Sequence, residues 1–89
     1  MKAIISVLGA DKPGIIAEIS GCLYRYNVNI LDITQTILSG YFTMVMMVDL
    51  SGMSCGFDEM LGALNALGGR LGLEIRMQRN EIFDAMHRL

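Results

Sequence analysis

Asp11, Lys12, Pro13 and Gly14 stand in a row between an apolar, β-branched run and the first helical pattern of the chain. The opening N–H groups of a helix have no partner inside it. Those of Gly14, Ile15 and Ile16 would therefore point outward, where they and the helix dipole favour an anion such as a carboxylate. Gly14 has no side chain to obstruct the approach. Asp11 can accept hydrogen bonds from an ammonium group, and Asn29, at the start of a later strand, can both donate and accept. Donors for a carboxylate beside an acceptor for an amine are what a free amino acid requires. The same residues also suit a local role, with Asp11 closing an Asx turn and Asn29 opening a strand. Residue types alone leave both open.

The remaining reactive side chains point away from catalysis and from metals. His87 is the sole histidine and lies near the carboxy end without an evident nucleophile, where a cation at a helix terminus accounts for it. Met44, Met46 and Met47 could attract a soft metal, yet methionines at strand spacing ordinarily fill a core. Cys22 and Cys55 are the only cysteines and read as small buried hydrophobes rather than as a disulfide or a metal site. No cofactor, no metal and no catalytic residue is expected.

What positions the candidate residues is one domain spanning 1–89. Apolar residues make up 53% and charged residues 18%, against typical values of about 45–50% and about 25%. Such an excess of apolar side chains in a small domain implies surface that meets another chain, hence a dimer or higher homo-oligomer. The formal net charge of −2, with Arg70, Arg76, Arg79 and Arg88 scattered among acids, argues against a nucleic-acid partner. No run approaches the ~18 apolar residues of a membrane span, and the amino terminus reads as a strand rather than a signal peptide. The expected location is cytoplasmic.

Periodicity orders the elements. The stretch from Lys2 to Leu8 has strand character. Ile15, Ile19, Cys22, Leu23 and Tyr26 then form one face of a helix, with Pro13 in its first turn. Two β-branched runs follow, Val28 to Leu38 and Tyr41 to Leu50, separated by the hairpin signal Ser39-Gly40. Phe57, Met60, Leu61, Leu64 and Leu67 make a second amphipathic helix, expected to stop at Gly68-Gly69. Leu73 to Arg79 alternates cleanly, as an edge strand with one wet face should. The order βαββαβ with right-handed crossovers predicts an α+β, ferredoxin-like sandwich, both helices on one face of an antiparallel sheet ordered 4-1-3-2.

One stretch resists that scheme. From Phe42 to Val48 both alternating sets are apolar, so the second face of the sheet is expected to be covered too. The candidate cover is the segment 80–89, with Asn80 as N-cap and an apolar stripe of Ile82, Phe83, Met86 and Leu89. It predicts a short carboxy-terminal helix docking on the sheet or on a partner chain.

Fold alone does not choose a function. A copper chaperone on this scaffold would need C-x-x-C in the first turn, an acylphosphatase an arginine there, and an RNA-binding module basic residues around its aromatics; none is present. The stretch from Leu8 to Ser20, with D-x-P-G at Asp11 to Gly14, and V-N-I at Val28 to Ile30 resemble an ACT domain. Over essentially all of its length the chain is similar to the stand-alone single-ACT-domain proteins of bacteria and archaea. The resemblance implies a regulatory module whose domains pair side by side or face to face. It also implies an amino-acid-like effector at the interface, held by Asp11, Gly14, Ile15, Asn29 and Ile30. Position 11 is often Asn in serine-binding members, and Asp adds a negative charge. Since no catalytic domain accompanies the module, its output would be binding itself or a partner enzyme, and a purely adaptor role is the alternative.

Overall fold

The computed structural model describes residues 1–79. Its elements are β1 (Lys2–Ala10), α1 (Ile15–Arg25), β2 (Asn29–Leu38), β3 (Tyr41–Asp49), α2 (Phe57–Leu71) and β4 (Leu73–Arg79). The sheet runs β2-β3-β1-β4, all neighbours antiparallel, which is the expected 4-1-3-2 order counted from the other edge. The expected carboxy-terminal helix, 80–89, lies outside the described residues.

Burial follows the two periods. On β3, Phe42, Met44, Met46 and Val48 are buried beneath the helices, and on β1 so are Ala3, Ile5 and Val7. Helix α1 buries Ile15, Ile19, Cys22 and Leu23, and α2 buries Met60, Leu64 and Leu67. Each such apolar side chain contributes about 1.5–3 kcal/mol when fully removed from water. On the opposite face Leu8, Leu38, Tyr41 and Val45 are exposed and Met47 is half-buried. The methionines at alternate β3 positions thus fill the core.

Three junctions depend on backbone conformation. Ser39 and Gly40 both have positive φ (52° and 81°), as a two-residue type I′ hairpin requires. Asn27 and Gly72, with φ 59° and 71°, close the two helices just before β2 and β4. Helix α2 does not stop at Gly68-Gly69 as the sequence suggested. It runs on to Leu71, and Gly72 is the left-handed cap. Gly68 is needed for another reason: a Cβ there would come within 2.7 Å of the Leu73 carbonyl, so it lets α2 press against β4.

The first turn also departs from expectation. Gly14, at φ 87°, is the N-cap of α1, so Pro13 precedes the helix instead of occupying its first turn. The left-handed glycine breaks the helical backbone between them.

Candidate ligand-binding site

The helix start keeps the character its sequence suggested. Glu18 N–H is the first donor inside the helix, bonding Gly14 O at 2.9 Å, so the N–H groups of Gly14, Ile15, Ile16 and Ala17 precede the ladder. Among the described residues nothing lies within 4 Å of where a Gly14 Cβ would sit. Asp11 is exposed, and its backbone N–H bonds Gly40 O at 2.9 Å. Its carboxylate takes no hydrogen bond from the described residues, so it closes no Asx turn. Lys12 donates from Nζ to Leu71 O, fastening the loop to the end of α2, where a cation suits the unpaired carbonyls.

Asn29 is elsewhere. β1 and β2 are parallel because each is antiparallel to β3. Asp11 follows Ala10, which faces Tyr41 at the hairpin end of the sheet. Asn29 pairs with Asp49, and Asp49 with Lys2, at the other end. At ~3.3 Å per residue along β1, the two ends are roughly 26 Å apart. Within one chain, therefore, Asp11, Gly14 and Ile15 gather at one end and Asn29 and Ile30 at the other. Ile15 is buried in the core and Ile30, half-buried, packs against it. A bulge after Ile30 turns Leu31 outward.

Two clefts adjoin these ends. The larger, about 710 Å³, runs between α1 and α2 past Ala17, Gly21, Arg25, Ala63 and Arg70. Of the candidate residues it reaches only Gly14, and its charges are partly tied up in the Arg70–Glu18 pair at 3.5 Å. The smaller, about 370 Å³, lies at the start of β2 among Tyr24, Asn27, Val28, Asn29, Asp49 and Gly52. It is the more polar place, because a carboxylate and two carboxamides converge there. Asp49 Oδ1 accepts from Ser51 N–H at 2.9 Å and from Ser51 Oγ–H at 2.6 Å, and stands 4.0 Å from the chain's terminal ammonium. The Ser51 hydroxyl, then the Ser51 amide, hold its carboxyl below the usual range. Asn27 Nδ2 donates to Gly52 O at 2.8 Å, which steadies the floor.

Asp49, Lys12 and Tyr24 were missed in the sequence. Only the D-x-S spacing of Asp49 and Ser51, a local turn signal, could have pointed to the first of them. Cys22 is buried and Cys55 half-buried, both free, and desolvation raises both thiols above their ordinary range.

A four-stranded antiparallel sheet under two helices, in the order β2-β3-β1-β4, places the chain in the class of small ferredoxin-like α+β domains. The comparisons narrow this. The sequence profile of the ACT domain matches residues 2–78. A UPF0237 protein of Bifidobacterium longum is 51% identical over 88 residues, covering 99% of this chain and 98% of its own. One from Methanococcus maripaludis is 46% identical over the same length, with the same coverage. An ACT domain protein from Streptococcus pneumoniae superposes with a TM-score of 0.82 at 42% identity, over 94% of each chain. This chain belongs to the ACT domain family, whose members are regulatory small-molecule-binding modules.

Proposed function

We propose that the protein is a non-catalytic, cytoplasmic sensor that binds a free amino acid or a closely related metabolite between two copies of itself. The observation that carries this is the separation of the two half-sites together with a bare edge strand. Every residue from Leu31 to Gly40 is exposed, and β2 offers ten residues of edge left unpaired among the described residues, with Asp32 as its single charge. Long edges with so little charge are liabilities unless something pairs with them. Ile33 (40% exposed) and Ile37 (57% exposed) share the helix-side face with buried β3 partners.

Antiparallel pairing of two β2 edges about a twofold axis supplies that partner. It also reverses one chain against the other, so the start of β2 in one copy lies level with the hairpin end of its mate. Asn29 and Ile30 of one chain then lie level, along the strand direction, with Asp11, Gly14 and Ile15 of the other. The helix N–H groups face the ligand's carboxylate, while acidic side chains and the Asn29 amide face its ammonium. A ligand held there stabilises the paired form by mass action, which is a route to regulating a partner enzyme.

A panel of the twenty L-amino acids, screened by thermal shift alongside sedimentation velocity, tests this. The expected result is a dimer whose melting temperature rises by at least about 5 °C with one or a few ligands, since saturation at 100 Kd is worth about 2.7 kcal/mol. Ile33→Lys should shift the dimer toward monomer and abolish the response. A monomer that responds to none would overturn the proposal. The exposed Leu8, Leu38, Tyr41 and Val45 on the open sheet face favour a second reading, an adaptor docking on another protein, and that result would leave it standing.

A further inference from the structure

Resting on the reading above, we infer that Asp49 is the main acceptor of the ligand's ammonium group and so sets the site's preference for amines. Asp49 and Asn29 are directly opposed across β2 and β3, so one chain already presents a carboxylate beside a carboxamide in a single cleft. The Asp49 side chain is 35% exposed, open to a ligand yet partly withdrawn from water. Both Ser51 donors fall on Oδ1, and among the described residues Oδ2 receives no hydrogen bond. The carboxylate is thus aimed before any ligand arrives, with one oxygen in hand. An acceptor already oriented loses little side-chain entropy on binding, whereas a free one must be ordered first.

Asp11 offers the contrast. It is exposed, and its carboxylate is tied by no hydrogen bond from the described residues. Across the proposed interface it adds negative charge near the helix start but not a fixed direction. Tyr24, 85% exposed at the cleft wall, can close over a bound side chain without competing for the ammonium. The cleft's volume of about 370 Å³ falls within the range of small-ligand sites.

The test uses the L-amino acid giving the largest thermal shift and its 2-hydroxy acid analogue, in which hydroxyl replaces ammonium. Both are titrated calorimetrically into the full chain, into Asp49→Asn and into Asp11→Asn. Asp49→Asn should weaken the amino acid at least tenfold and shrink its advantage over the hydroxy acid by the same factor. Asp11→Asn should change that advantage less than threefold. Ser51→Ala, which keeps the carboxylate but frees it to rotate, should fall between them; it also serves if Asp49→Asn does not fold. Should Asp49→Asn or Ser51→Ala weaken both ligands equally, Asp49 is only structural and the inference fails while the interface site stands. A wild type that answers to no amino acid would sink both.

Discussion

Asp49 and Asp11 show what residue types reveal and what they hide. Asp11 was legible because its neighbours Pro13 and Gly14 mark a turn into a helix, a purely local signal. Asp49 was not, because its meaning depends on pairing with Asn29 and on the turn that brings Ser51 back to its carboxylate. Those bonds have a pH signature. A carboxyl whose folded pKa lies below its unfolded value adds stability above the ordinary range near 4, and that stability is lost as pH falls through the lowered value. Wild type should therefore melt above Asp49→Asn at pH 7, and the two curves should converge in acid. Calorimetry from pH 7 to pH 2 checks this. A gap that stays constant down to pH 2 would mean the Ser51 hydrogen bonds do not hold the carboxylate.

At the scale of elements the sequence was nearly sufficient. Five of the six elements bury a face, and a period of 2 or 3.6 is the imprint of that burial. Strand β2, exposed along nearly all its length, shows instead in its β-branched residues and in the Ser39-Gly40 turn that follows it. The errors lay at two glycines. Gly14 ends the preceding turn instead of sitting within a helix that starts at Pro13, and Gly68 lies inside α2 although it resembled a stop. Propensity sees glycine as a helix breaker, but at Gly68 the constraint is the Leu73 carbonyl across the helix–strand contact. Two alanine substitutions separate these causes. Gly62→Ala places its Cβ in open space on the same helix, so it should stabilise by up to about 1 kcal/mol. Gly68→Ala meets backbone at 2.7 Å, so overpacking should outweigh the propensity gain and destabilise by about 1–3 kcal/mol. Urea melts of the two variants measure both signs, and a stabilised Gly68→Ala would show that α2 can move off β4.

The whole molecule is where sequence patterns stop. That β1 and β2 run parallel follows from the topology, and with it the placing of Asp11 and Asn29 at opposite ends of the sheet. Five residues implied by a family resemblance do not meet in one chain, and the exposed edge of β2 is where a second copy would unite them. Mixed dimers discriminate this arrangement from any site confined to one subunit. Combine a chain carrying Asn29→Ala with one carrying Asp11→Arg, each on a different affinity tag, and isolate the heterodimer. In a shared site, the loop of the Asp11→Arg chain faces the Asn29→Ala strand, so both lesions fall in one site. The other site then holds an intact loop and an intact strand. Calorimetry should find half the wild-type number of sites at wild-type affinity, although each parent homodimer binds weakly at every site. A site confined to a single chain could hold only one of the two residues, because they lie at opposite ends of it. One of the parent homodimers would then bind at wild-type affinity, and that result would sink the shared site.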